Sequence, residues 1–274
     1  MHFNKNKLFV EKIAALKIVR KFGTPTYCYS LMKLKKNIHN FQESFKSIKP
    51  LVCFSVKSNS NRKILREIKK SGMGADVVSK GEMMQALRAG ILPKKIVFSG
   101  VGKKIDELKF AIEKKILLIN AESESEIFEI ERLAKSKKTV VNIGLRLNPN
   151  IDAKTLKKIS TGKYEDKFGL TEKVFLNILN NFKNSKFVKV KCLSVHIGSQ
   201  ITDYKPYSKM INVLDNIITK SKYLFEYVDL GGGMGIQYEK KTKLFNYKKY
   251  NLIIKKFLKK HKVKIIFEPG RSII

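Results

Sequence analysis

Between residues 51 and 267 the chain alternates short apolar runs with longer amphipathic stretches, and this alternation limits its possible folds more than any other feature. The apolar patterns predict strands at 51–56, 75–79, 95–99, 116–120, 139–147, 188–197, 227–230 and 263–267. Helical periodicity fills the intervals at 62–70, 80–89, 104–114, 123–135, 172–181, 207–222 and 247–260, with Ser, Thr or Asn ahead of several of them as caps. Parallel strands need crossovers of this length, and eight β/α units is the number that closes a (β/α)8 TIM barrel. An open doubly wound sheet is permitted by the same alternation.

The placement of unusual polar residues favours the barrel. Lys57 and Asn59 follow the first strand, Asp76 and Ser79 lie in the second, Arg146 and Asn148 end the fifth, and His196 and Ser199 end the sixth. Gly231 to Gly235 follow the seventh, and Glu268 and Arg271 the eighth. Closing the sheet brings these strand ends to one mouth, where residues distant in sequence become neighbours. Residues 1–30, ending in Gly23-Thr-Pro-Thr-Tyr-Cys-Tyr-Ser30, read as a helix and then a short strand outside the barrel, which occupies 31–274. The chain stops six residues after Glu268, so a final helix to cover the eighth strand is expected to be missing.

Composition removes several classes. With 43% hydrophobic and 10% aromatic residues the chain can build a core, unlike disordered or fibrous sequences. No apolar run reaches the roughly 18 residues of a membrane span, and the first residues lack the apolar stretch of a secretory signal. A cytoplasmic protein without a membrane partner is expected. The 57 Lys plus Arg against 23 Asp plus Glu give a net charge of +34, which suits polyanions. Only seven of the 57 are Arg, and the lysines are spread over every predicted helix and turn, so no specific nucleic-acid partner is expected. Cys28, Cys53 and Cys192 form no disulfide framework or zinc motif, and no carboxylate stands at ligand spacing from His196, so no metal is expected.

Lys57, in Ser-Val-Lys-Ser-Asn, is the sharpest feature. A regular strand would turn Cys53, Ser55 and Lys57 to one face, and burial would push the amine toward its neutral form. A neutral amine is a nucleophile for carbonyls, able to form a Schiff base with an aldehyde cofactor, although most lysines are solvated surface charges. Gly231-Gly232-Gly233-Met234-Gly235 is neither a dinucleotide fingerprint nor a Walker loop; it is a turn that brings backbone N–H groups close to a phosphate, or a tight turn with no ligand. His196 points inward with Ser194 and Cys192, as a site residue or a satisfied core histidine. Glu268 and Arg271 flank a rigid Pro-Gly turn, as an ion pair or as partners for a pyridinium proton and a substrate carboxylate.

Taken in order, Gly23-Thr-Pro-Thr-Tyr, Ser55-Val-Lys-Ser-Asn59, Ala75-Asp-Val-Val-Ser-Lys-Gly-Glu82, Ile159-Ser-Thr-Gly-Lys163, Lys167-Phe-Gly169, His196-Ile-Gly-Ser-Gln200, Asp229-Leu-Gly-Gly-Gly233 and Glu268-Pro-Gly-Arg271 resemble the fold-type III pyridoxal-phosphate decarboxylases over nearly the whole chain. The Ser-Thr-Gly and Lys-Phe-Gly segments and Gln200 resemble the diaminopimelate branch more than the ornithine or arginine branches. The resemblance implies an alanine racemase-like barrel that binds pyridoxal 5'-phosphate and decarboxylates meso-2,6-diaminopimelate, a small-molecule amino acid, to L-lysine. It implies Lys57, His196 and Glu268 as catalytic residues: Lys57 carries the cofactor, His196 stacks on its ring and Glu268, supported by Arg146, meets its nitrogen. Asp76 joins the cofactor site; Ser199, Gly231, Gly232, Gly233 and Gly270 hold the phosphate; Arg271 binds cofactor and substrate. Alanine racemase is less similar, since it places an Arg at the ring nitrogen. Family members continue into a β-rich domain that supplies a proton-donating Cys, an acidic residue and a Tyr, often across a homodimer interface. None of the three cysteines here takes that place, so the chain is expected to be a truncated member. An ornithine- or arginine-type decarboxylase and a catalytically incomplete cofactor-binding remnant are the alternatives.

Overall fold

The computed structural model describes residues 2–153, 161–163, 165–239, 242 and 244–274. Ahead of the barrel stand a small antiparallel sheet of β1 (His2–Asn4), β2 (Lys7–Val10) and β3 (Ile13–Ala14) and a helix, α1 (Ala15–Phe22). The strands precede the helix, the reverse of the order expected from sequence. Residues 27–30, expected to be a strand, pair with nothing in a ladder and leave Tyr27 and Tyr29 exposed. A β-rich run forms a strand only where a partner completes its hydrogen bonds.

The next helix, α2 (Leu31–Phe45), lies outside the predicted alternation. Leu34, Ile38, Phe41 and Phe45 form its buried stripe, and the Ser30 hydroxyl accepts the Lys33 N–H at its start. Then follow β4 (Leu51–Ser55), α3 (Arg62–Lys70), β5 (Gly74–Val77), α4 (Lys80–Arg88), β6 (Ile96–Phe98), α5 (Ile105–Lys114), β7 (Leu118–Ala121), α6 (Glu124–Ser136), β8 (Val141–Arg146), α7 (Glu172–Phe182), β9 (Val188–Ser194), α8 (Lys205–Ser221), β10 (Tyr227–Asp229), α9 (Tyr247–Lys260) and β11 (Lys264–Phe267). Strands β4 to β11 close a parallel barrel, sealed where Ile266 and Phe267 of β11 pair with Leu51 and Val52 of β4. Its helices are polar outside and apolar inside, as in α3, where Ile64, Leu65 and Ile68 are buried. Side-chain caps at Asn61, Ser79, Ser123, Thr171 and Asn246 fix where five of them begin.

Helix α2, from the other end of the chain, covers β11. Helix α2 packs beside α9 and buries Phe41 and Phe45 against Phe267 of β11. Phe45 and Phe267 lie 4.5 Å apart, and Tyr250 of α9 meets both edge-on at 5.9 and 6.0 Å. Asn37 also donates to the Ile273 carbonyl, fastening the residues after β11 to α2. Each buried aromatic of this cluster contributes on the order of 1.5–3 kcal/mol from burial. Among the described residues, no helix is long and apolar enough to cross a membrane.

Candidate active site

Inside the barrel the side chains stack in two layers of opposite character. Cys53, Val97, Leu118, Cys192 and Ile266 form a closed apolar floor. Two residues further along the same strands stand Ser55, Ser99, Asn120, Ser194 and Glu268, joined by Asp76 and Asp229, all buried. Period two explains this: each strand brings the same face inward again after two residues, nearer the mouth. Glycines make room below, because a Cβ on Gly144 would lie 2.0 Å from Asn120 Oδ1.

Lys57 stands above this layer. The strand ends at Ser55, and a turn of 3₁₀ helix over Val56–Ser58 raises the lysine into the mouth with its side chain half exposed. Nζ lies 3.4 Å from Oδ2 of the buried Asp76, which also accepts the Ser55 hydroxyl at 2.6 Å. The neutral amine expected from a buried strand position is therefore corrected. The negative charge of Asp76 raises the Lys57 pKa, Glu268 adds to the rise, and together they outweigh burial, so the resting group is an ammonium.

His196 comes after the end of β9, two residues beyond Ser194, and is partly buried. Its Nδ1 accepts the Gly232 N–H at 3.1 Å, which requires that nitrogen to be unprotonated. Burial, then the charges of Lys57 and Arg146, hold its pKa well below the usual histidine value, leaving a neutral imidazole. Across the mouth, Arg146 donates to Glu122 Oε1 at 2.9 Å and lies 4.7 Å from the centre of the Phe168 ring. Glu122 Oε1 also accepts the Gly100 N–H at 2.9 Å, joining Arg146 to the loop after β6.

The glycine turn packs beneath His196 and beside Glu268. A Cβ on Gly231 would fall 2.5 Å from His196 Nδ1, and one on Gly232 2.0 Å from the Glu268 carbonyl oxygen. Gly231 and Gly233 have φ of 63° and 88°, the left-handed region that favours glycine. Gln200 clamps the turn through both backbone groups of Ile236, and Tyr207 donates to the Gly232 carbonyl at 2.7 Å. Gly270 approaches Ser55 and Ser58, where a Cβ would make 3.2 Å contacts.

Lys57, Arg146, Phe168, His196, Ser199 and Glu268 are among the residues that line a cavity of about 440 Å³ at this mouth. Asp76 lies buried at its base, while Arg271 is outside its wall, donating to the Tyr238 hydroxyl and leaving Nε buried without a partner. Asn59, Ser79 and Asn148 serve the backbone instead: an Asx turn, the α4 cap, and two bonds to the carbonyls of Lys163 and Phe168. Ile159 and Ser160 of the expected motif lie outside the described residues; Thr161 faces the cavity and donates to the His196 carbonyl at 2.8 Å. Sequence reasoning passed over Ser99, Asn120, Glu122 and Phe168 as site residues. The signal for the first two was a polar residue two places after an apolar inward one.

A lysine opposite a buried carboxylate, above a glycine cradle with no room for side chains, matches a known module. Residues 31–274 match the model of the pyridoxal-dependent decarboxylases, pyridoxal binding domain, and the chain belongs to that family. The cofactor of this domain is pyridoxal phosphate. The chain is similar to the diaminopimelate decarboxylases of Zymomonas mobilis, 39% identical over 97% of this chain and 65% of that protein, and of Helicobacter pylori, 41% identical over 94% and 64%. The chain thus spans about 65% of the length of these curated relatives. The crystal structure of the Helicobacter pylori enzyme complexed with L-lysine superposes with a TM-score of 0.91 at 39% identity, covering 94% of this chain and 66% of that one. The fold alone is shared with a lysine/ornithine decarboxylase from Vibrio vulnificus, at 17% identity and a TM-score of 0.79 over 94% of this chain and 66% of that one.

The residues present fit pyridoxal phosphate. Cβ atoms at Gly231 and Gly232 would obstruct the cradle, Asp76 Oδ1 is buried without a partner, and Lys57 faces the cavity beside Asp76.

Proposed function

We propose that this chain is the cofactor-binding barrel of a decarboxylase acting on meso-2,6-diaminopimelate to give L-lysine and carbon dioxide. The observation that carries the reading is Lys57 at the cavity with Asp76 and Glu268 about it. Pyridoxal phosphate supplies an aldehyde and an electron-accepting ring that stabilises the charge left when a carboxylate departs. Lys57 is the attachment residue; its Nζ gives up a proton before acting as a nucleophile, and Asp76 Oδ2 is the acceptor within reach. Glu268 would face the ring nitrogen, where a carboxylate favours the protonated ring needed for strong electron withdrawal.

His196, held by the Gly232 N–H with its ring neutral, gives a flat face for the cofactor ring without adding a charge. The turn at Gly231, Gly232 and Gly233, with Ser199 and Gly270, presents the phosphate site, and Arg271 adds a guanidinium for cofactor and substrate. Arg146 is kept in place by Glu122 and Phe168, and its support of Glu268 is the role the family resemblance implies. The diaminopimelate decarboxylases of Zymomonas mobilis and Helicobacter pylori, 39% and 41% identical and covered to 65% and 64% of their length, the latter crystallised with L-lysine, support the substrate class. A homodimer of the complete protein and a cytoplasmic location complete the proposal.

The test is to incubate the protein and pyridoxal phosphate separately with meso-diaminopimelate, ornithine and arginine, and to measure carbon dioxide and the product. Lysine from diaminopimelate alone is expected. Release from ornithine or arginine instead would transfer the chain to that branch, and cofactor binding without release from any substrate would make it a non-catalytic remnant.

A further inference from the structure

We infer that Asp229 is a positioning residue that shares a single proton with Glu268 and ties this acid pair to the glycine turn. The inference rests on the proposed cofactor site and concerns a residue to which neither the fold nor the family resemblance assigned a role above. Asp229 has no exposed surface and Glu268 is 7% exposed. They sit at the ends of neighbouring strands, β10 and β11, and hydrogen-bond to each other. Two carboxylates in such contact away from water cannot both ionise, and a hydrogen bond between them requires a proton on one.

The rest of the network fixes the pair without supplying a second charge. Asp229 Oδ1 accepts the Gly231 N–H at 2.9 Å, and Oδ2 accepts the Asn120 amide at 3.2 Å. That amide also donates to Ser99 at 3.2 Å, and the Ser99 hydroxyl donates to Glu268 Oε1 at 3.3 Å. A path of hydrogen bonds therefore runs from the turn proposed to hold phosphate to the carboxylate proposed to meet the ring nitrogen. Asp76 faces both acids and disfavours a second negative charge, while Lys57 favours charge on Glu268. The nearby Cys53 and Cys192 thiols and the Tyr250 phenol are pushed up by burial and remain neutral. Burial pushes the Asp229 carboxyl up to about 6 and Glu268 well above the ordinary carboxylate range.

A protonated ring nitrogen held at Glu268 would give the pair a positive partner, and the pair would then release the proton it shares, whereas Asp229→Asn holds no such proton to release.

Two measurements test this. The infrared spectrum of the cofactor-free protein near neutral pH should contain the carbonyl stretch of a buried protonated carboxyl, shifted in heavy water and absent from Asp229→Asn and Glu268→Gln. Calorimetric titration with pyridoxal phosphate in buffers of different ionisation enthalpy should show Asp229→Asn taking up about one more proton per molecule than the wild type. An absent band in the wild type, or equal proton uptake in the two proteins, overturns the inference. If Asp229→Asn fails to fold, the wild-type band and its loss in Glu268→Gln decide. A wild type that binds pyridoxal phosphate without the band sinks the acid pair and leaves the cofactor site standing; one that shows the band but binds no pyridoxal phosphate sinks the cofactor site and with it the role given to Asp229.

Discussion

Lys57 is charged at rest because of its neighbours, and removing the chief one should change its chemistry. Asp76→Asn takes away the leading cause of the raised pKa, so Lys57 should be acylated severalfold faster than in the wild type at mildly alkaline pH, as read by competitive labelling and mass spectrometry. An unchanged rate would mean that Asp76 does not control the amine. Asp229 and His196 affect stability with opposite slopes. An Asp229 carboxyl raised to about 6 contributes stability that is full below the unfolded pKa of about 3.9 and is lost as pH rises through about 6, a span of roughly 3 kcal/mol. His196, with its pKa lowered, contributes stability that is full above about 6.5 and is lost as pH falls through the folded value. Urea unfolding of Asp229→Asn should therefore show a gain over the wild type on going from about pH 4 to about pH 7. A constant difference would remove Asp229 as the source. Lys57, His196 and Glu268 could be picked out in the sequence because each follows a strand among Ser, Gly or Pro, where a polar side chain has no place in a ladder. Asn120, Ser99 and Asp229 were harder to read as site residues because they lie within β-rich runs, where one polar residue is indistinguishable from an outward-facing one until closure assigns it to the inside.

The elements show where local pattern was sufficient and where it was not. Period and caps marked all eight barrel strands and the helices between them, since each amphipathic run lies between two turns. Helix α2 carries an equally regular stripe, yet its role depends on meeting α9 and β11 from the far end of the chain, which no local pattern contains. Phe45→Ala should lower the unfolding free energy by about 3–5 kcal/mol, measured by denaturant titration, because it empties the contact that closes the helical ring. A loss under 1 kcal/mol, about the cost of an exposed substitution, would mean that α2 is not part of the core. The small N-terminal sheet is attached more weakly. Glu11 Oε1 accepts the Ser30 hydroxyl and the Met32 N–H, both at 2.8 Å, and these bonds hold its carboxyl below the usual range. Glu11→Ala should speed proteolysis within residues 1–22 and leave the barrel's unfolding midpoint unchanged; equal protection of both proteins would show that other contacts hold the sheet.

At the scale of the molecule, barrel closure turns a dispersed set of polar residues into one site, with Lys57 separated from Glu268 by more than two hundred positions in the chain but facing the same cavity. The +34 charge is a property of the surface and says little about this interior, where acidic groups surround the lysine. The glycine turn has a comparable global role: Gly232→Ala would drive a Cβ to within 2.0 Å of the Glu268 carbonyl, and the proposed ring-nitrogen carboxylate would move with it. The account's central claim is that, among all the lysines, Lys57 is the one placed to hold pyridoxal phosphate. Incubation with stoichiometric pyridoxal phosphate, borohydride reduction and peptide mass mapping test it most directly. The account predicts one modified peptide, containing Lys57, and its disappearance in Lys57→Ala; label distributed over surface lysines and unchanged in that variant would contradict it.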